Sequence, residues 1–170
     1  MKIFGSTSLS YYLWHISRIL TLGVLVLLCF ILLSFLFGNF EVQGNRFSIE
    51  IPLTGSFIKG FYQSKIITAI TFILLFYGGF FYMLSRVFAQ FKAEPLFTEA
   101  TVKELGIFAK LNLLGSPLAF IIIHIILVQQ TSLRDAPSYI LHILIGIFFL
   151  FITEIFKKGY LIQSENDLTI

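Results

Sequence analysis

The chain has 170 residues, of which 57% are hydrophobic, 12% are charged and 21 are phenylalanine. A soluble domain of this size leaves most of its residues partly exposed and cannot bury so much apolar side chain, so the composition predicts an integral membrane protein. The single cysteine excludes an internal disulfide and CxxC redox or cysteine-rich zinc sites. A net charge of +3 is not the signature of a protein that binds nucleic acid directly.

Four apolar stretches are long enough to cross a membrane as helices, since about 20 apolar residues span the hydrocarbon core. They cover residues 16–37, 66–88, 111–130 and 139–157. A cleaved signal peptide is the alternative for the first stretch, but its apolar part would be only about 7–15 residues long and would end in a small-residue cleavage site. The predicted fold class is an all-α membrane protein, with residues 1–170 as a single four-helix membrane domain.

The outer loop, residues 38–64, contains a hairpin signal. Apolar and polar residues alternate on both sides of Gly44-Asn45, most clearly from Phe47 to Leu53. Period-two alternation around a Gly-Asn pair predicts a small β-hairpin outside the membrane. This hairpin could cap the helix bundle or sense a ligand.

The cytoplasmic loop, residues 89–110, contains a second helical signal. Thr98 is an N-cap residue, and Glu99 in the first turn complements the helix dipole. An apolar stripe at helical spacing lies opposite a charged face; the stripe is Val102, Leu105, Phe108 and Ala109, and the charged residues are Glu99, Lys103, Glu104 and Lys110. We therefore predict a cytoplasmic amphipathic helix between spans 2 and 3 that lies on the membrane surface and runs into the third span.

The distribution of Lys and Arg predicts the orientation. An even number of spans places both termini on the same side as the 89–110 loop, and that side carries eight of these residues against four on the other. Because cytoplasmic loops are enriched in Lys and Arg, both termini, including the tail at 158–170, are predicted to be cytoplasmic.

Two motifs stand out from the generic spans. The first is PLFTEATVKEL at residues 95–105 with Ala109, and the second is FKKGYL at 156–161 with the terminal string ENDLTI at 165–170. Both resemble motifs of the bacterial membrane family catalogued as domain of unknown function 2975. The number of spans, the long outer loop and the chain length agree with that family. Thr101 departs from its pattern, in which asparagine is usual.

The resemblance implies a multi-pass protein of the cell inner membrane with no established biochemical activity. Members of this family are often encoded beside small helix-turn-helix regulators. By analogy, the resemblance implies a soluble DNA-binding regulator as the partner.

The 97–109 helix and the tail are predicted to form one cytoplasmic docking surface. An extended tail of alternating apolar residues could add as a strand to the edge of a partner's sheet or bind to the amphipathic helix nearby. The alternative is a frayed chain end, since termini are usually poorly ordered. The predicted partner-binding residues are Phe97, Thr98, Thr101, Val102, Leu105, Glu165, Asp167, Leu168 and Ile170.

Polar residues within the spans are the other predicted site, because ionisable groups are costly in lipid. His124 and His142 have nearly equal depths in an antiparallel hairpin, so their imidazoles could face each other as a proton- or metal-responsive pair or serve only in helix packing. Glu154, Arg18 and Arg86 could pair at the cytoplasmic rim, and Asn112, Ser116 and Thr153 could bond between helices.

No nucleophile–base arrangement, phosphate-binding loop or metal-binding helix motif is present in the sequence, so we predict no enzyme activity, no cofactor and no metal. The leading hypothesis is a regulatory interaction protein in the lipid bilayer. The alternative is a small transporter or channel subunit that self-associates around a polar path.

Overall fold

The computed structural model describes residues 2–129 and 136–167. Four long helices dominate them: α1 (Leu9–Phe37), α2 (Ser64–Phe91), a third long helix (Glu99–Leu127) and α5 (Ala136–Asp167). All four are long and apolar enough to cross a membrane. The predicted set of four long apolar helices is confirmed.

The third long helix changes its hydrogen-bonding pattern along its length. It consists of α3 (Glu99–Lys110), a π-helical segment (Leu111–Gly115), α4 (Ser116–Phe120) and a second π-helical segment (Ile121–Leu127). The first π-helical segment ends shortly before Pro117, whose ring nitrogen has no hydrogen to donate. Such wide turns are found frequently at functional sites.

A three-stranded antiparallel sheet connects α1 and α2, in the order β1 (Glu41–Gln43), β2 (Arg46–Ile51) and β3 (Ser56–Phe61). The predicted hairpin is confirmed as β1 and β2, which turn at residues 44–45. The third strand was not predicted, and Leu53 lies in the β2–β3 turn at a φ of 68° rather than in a strand. Gly60 in β3 has no side chain to contribute to the alternating pattern that predicts a strand. Glycine is needed there for packing, since a Cβ would lie 2.6 Å from the Phe47 ring.

The helices pack largely in chain order: α1 against α2, α2 against the third long helix, and the third long helix against α5. One apolar cluster, around Val87, Leu105, Phe108 and Phe156, joins the last three helices. A second cluster, around Ile31, Phe47 and Ile49, holds the sheet on α1 and α2. The sheet and the Phe156 cluster therefore lie at opposite ends of the helices.

Two predicted boundaries differ from the structure. α1 begins at Leu9, before the predicted start of the first span. At this end of the helix, the hydroxyls of Ser8 and Ser10 donate hydrogen bonds to the carbonyls of Gly5 and Ile3. α5 continues to Asp167, so the prediction of an extended tail is wrong for the described residues. The spacing of the apolar residues that suggested an extended tail is also compatible with an α-helix.

Candidate functional site

The two sequence motifs are in contact. Phe97 of the first motif packs against Phe156 of the second, with ring centroids 5.2 Å apart and the rings tilted by 48°. A Cβ at Gly159 would lie 2.6 Å from the Phe97 ring, so the absence of a side chain at this position allows the approach. The motifs therefore form one structural junction between the start of α3 and α5.

Thr98 caps α3 as predicted. Its Oγ1 accepts a hydrogen bond from the Thr101 backbone N–H at 3.1 Å, and the two threonine hydroxyls lie 2.9 Å apart. Thr101, which stands where asparagine was expected, therefore extends the cap with its hydroxyl.

The predicted docking residues divide by burial. Thr101 and Leu105 are 1% and 0% exposed, so they belong to the core and are not available to a partner in this conformation. Thr98 and Val102 are half-buried, whereas Phe97 and Glu165 are exposed. Asp167 continues the helix, and Leu168 and Ile170 lie outside the described residues. The apolar stripe of α3 faces α2 and α5, which is why sequence periodicity identified it as a binding face.

A buried polar pair joins the third long helix, near its middle, to α5, near its start. The His142 Nδ1 lies 2.8 Å from the Asn112 Oδ1, and the Asn112 Nδ2 donates to the Phe108 carbonyl at 2.8 Å. Because that carbonyl can only accept, the amide oxygen must face the histidine, and Nδ1 must carry the hydrogen. The rings of Phe76, Tyr77 and Phe80 surround the imidazole at centroid distances of 5.0–5.8 Å.

Polar contacts continue along the same helix–helix seam. Ser116 Oγ donates to the Tyr139 carbonyl at 3.1 Å, and His124 Nε2 lies 3.2 Å from the Tyr139 hydroxyl. We name Asn112, Ser116, His124, Tyr139 and His142 the polar seam. Asn112 and His124 lie in the two π-helical segments and Ser116 lies in α4 between them, whereas Tyr139 and His142 belong to α5.

The two histidines have different partners, contrary to the predicted facing pair. His124 stacks on Phe120, with ring centroids 4.9 Å apart, and contacts the Tyr139 hydroxyl, whereas His142 bonds to Asn112. Ser116 lies opposite Tyr139 and Asn112 lies opposite His142, so the register of the two helices differs from the one in which His124 and His142 have equal depths. The predictions for Asn112 and Ser116 as interhelical hydrogen-bonding residues are confirmed, but Thr153 bonds within its own helix.

An ion pair ties α2 to α3. Arg86 Nη2 donates to Glu104 Oε1, and Glu104 is 5% exposed although the sequence placed it on a polar face. The other carboxylate oxygen, Oε2, is buried without a hydrogen-bond partner in the described part of the chain. Arg86 was predicted at the rim, but its partner is Glu104 rather than Glu154.

Aromatic and cationic side chains gather beside this pair. Lys92 Nζ lies 3.3 Å from the centroid of the Trp14 ring, and the Arg18 guanidinium carbon lies 5.1 Å from the same centroid. The N-terminal segment closes this end, where the Gly5 N–H donates to the Phe91 carbonyl at 3.2 Å. These contacts were missed because sequence periodicity does not report pairing between segments distant along the chain.

Among the described residues, no group of three or more His, Cys, Asp or Glu side chains could hold a metal ion. No family model, no curated protein and no solved structure matches this chain. The family resemblance inferred from the two motifs therefore stays a prediction.

Proposed function

We propose that this chain is a non-enzymatic interaction protein of the bacterial inner membrane, which docks a soluble partner at its cytoplasmic end. The four helices contain 28–32 residues each. At about 1.5 Å per residue they measure about 42–48 Å, which is enough to cross a bilayer including its headgroup regions. The cytoplasmic end is the one that contains Phe97 and Phe156, and the sheet lies outside.

The exposed face of the third long helix supports this placement. Its open residues are charged in the first half, at Glu99, Lys103 and Lys110, and apolar in the second half, from Leu114 to Ile125. A helix that passes from an aqueous interface into lipid is expected to change in this way, and Lys110 can extend its ammonium toward the interface. The change supports a cytoplasmic amphipathic segment that continues directly into the third span.

The observation that carries the docking proposal is the helical extension of α5. Beyond Phe156 the helix continues to Asp167, with Leu161 and Ile162 exposed by 48% and 60%. Lys157 and Lys158 precede them on the open surface. An α-helix with open apolar residues flanked by charges is suited to binding in a groove of a partner protein. The helix-turn-helix regulators implied by the resemblance are the partner class we propose.

The docking proposal predicts that Leu161→Asp abolishes partner capture. We expect native co-purification from membranes to recover a soluble helix-turn-helix protein with the wild type and at least about tenfold less with the variant, because a charge in an apolar contact is costly. Leu53→Asp is the matched control, since Leu53 is fully exposed at the opposite end. Recovery that is equal for both variants, or no soluble partner with the wild type, would contradict the docking role.

The polar seam favours a second function, a small transporter or channel subunit. Asn112 lies near the middle of the third long helix and His142 contacts it from α5, and polar groups within membrane spans are expected to mark a transport path. If this function holds, liposomes containing the protein should conduct protons at least about tenfold faster than empty liposomes, and His142→Phe should remove most of the difference. Wild-type flux equal to that of empty liposomes would leave the seam with a packing role and favour docking.

A further inference from the structure

A groove of about 620 Å³ lies between α1 and α2, at the end of these helices that is remote from the sheet. Arg18 and Arg86 line one part of it, and Ile19, Leu22 and Leu25 line another. None of these residues belongs to the docking extension of α5 or to the polar seam.

The polar part of the groove is cationic. Arg86 uses one nitrogen to bind Glu104, and its guanidinium has further N–H groups that this contact does not use. Arg18 contacts the face of Trp14, which leaves the edge of its guanidinium open to an acceptor. No aspartate or glutamate is found among the described residues that line the groove. Glu104 pairs with Arg86 from outside the groove lining, so the net positive charge of the groove comes from Arg18, and the unused N–H groups of both guanidiniums favour a phosphate or carboxylate ligand.

The apolar part extends toward the middle of the helices. Gly78 of α2 faces Leu25 of α1, since a Cβ placed at Gly78 would lie 3.6 Å from the Leu25 side chain. This contact fixes the register of the two antiparallel helices. Arg18 therefore lies at the level of Arg86 near the end of the pair, and Leu22 and Leu25 lie progressively closer to its middle. The groove thus changes from cationic to apolar along the axis that would cross the membrane.

We propose that this groove binds an anionic glycerophospholipid. The phosphate contacts Arg18 and Arg86 at the level of the headgroups, and one acyl chain follows Ile19, Leu22 and Leu25. Basic pockets between membrane helices recognise anionic lipids in this way. A soluble anion would use only the cationic part, whereas a lipid uses both. The inference requires the helices to lie in a membrane, as proposed above, and is independent of the docking partner.

Thermal unfolding of the full chain in detergent tests the proposal, with added phosphatidylglycerol or with phosphatidylcholine of the same acyl chains. At a lipid concentration about 100-fold above its Kd, we expect phosphatidylglycerol to raise the Tm by roughly 5–10 °C, and phosphatidylcholine to raise it much less. Arg18→Gln should weaken phosphatidylglycerol binding by about tenfold or more, because one charge-assisted contact is lost. Arg18 is exposed, so this variant should have the wild-type Tm without lipid.

Arg46→Gln is the matched control, since it removes the same charge from the sheet at the other end of the molecule. It should keep the preference for phosphatidylglycerol, whereas Ala89→Phe should reduce it by filling the groove without changing the charge. Equal stabilisation by both lipids, an equal loss in Arg18→Gln and Arg46→Gln, or the full shift with inorganic phosphate alone would each overturn the proposal. Loss of lipid preference with partner capture intact would separate this site from the docking function.

Discussion

Replacement of Gly146 by alanine is expected to destabilise the protein more than alanine at any other helical glycine described above. A Cβ at this position would lie 2.8 Å from the Leu113 backbone nitrogen and 3.0 Å from the Ala109 carbonyl oxygen. These are backbone atoms, so the clash is relieved only if α5 moves away from the third long helix. Overpacking of this kind costs about 1–3 kcal/mol, which exceeds the gain of up to about 1 kcal/mol in helix propensity. The free energy of unfolding should fall accordingly, and Gly146→Leu should lower it further.

Two other glycines provide matched controls. No atom of the described residues lies within 4 Å of a Cβ placed at Gly79 in α2, so Gly79→Ala should be neutral or stabilising. A Cβ at Gly159 meets the Phe97 ring, whose side chain can rotate away, so Gly159→Ala should have an intermediate effect. In detergent unfolding, we expect Gly79→Ala to be the most stable of the three variants, Gly159→Ala to be intermediate and Gly146→Ala to be the least stable. Wild-type stability of Gly146→Ala would show that the two helices are not in the close contact described.

Removal of the Arg86 charge is expected to be much more damaging than removal of the Glu104 charge. The Arg86→Met substitution leaves a carboxylate that is 5% exposed without its cation. Breaking a buried ion pair in this way costs about 3–5 kcal/mol. Glu104→Gln instead leaves an arginine whose side chain is 43% exposed and can reach water. We expect that second substitution to lower the free energy of unfolding by about 1–2 kcal/mol.

The double variant Arg86→Met with Glu104→Met provides the decisive comparison. Replacing both charges with apolar side chains removes the buried carboxylate, so we expect it to recover most of the stability that Arg86→Met loses. A double-mutant cycle of unfolding free energies measures this coupling. Additive losses would show that Arg86 stabilises the bundle through its aliphatic stem rather than through Glu104.

The apolar scaffold could be predicted from sequence because hydropathy is a local property. Four long helices follow from the four apolar runs, and the β1–β2 hairpin follows from Gly44-Asn45 and its flanking alternation. The strand β3 was missed because Gly60 has no side chain to contribute to the pattern, although that absence is what allows Phe47 to pack.

The candidate site was less predictable because its pairings are distant along the chain. Glu104 looked like a surface residue, since its partner Arg86 comes from the preceding helix. The apolar stripe of α3 looked like a docking face, since the helices that cover it are not evident from its own periodicity. His142 was matched with the wrong residue because the register between the third long helix and α5 could not be read from hydropathy.

The packing of helices in chain order has a consequence for how the protein is made. Each large interface joins helices that are neighbours in sequence: α1 with α2, α2 with the third long helix, and the third long helix with α5. Each helix after the first therefore finds a packing partner already emerged, and each of these interfaces can close as soon as the next helix of the chain appears. Because such short-range contacts close with little loss of chain entropy, the bundle can assemble stepwise during its synthesis.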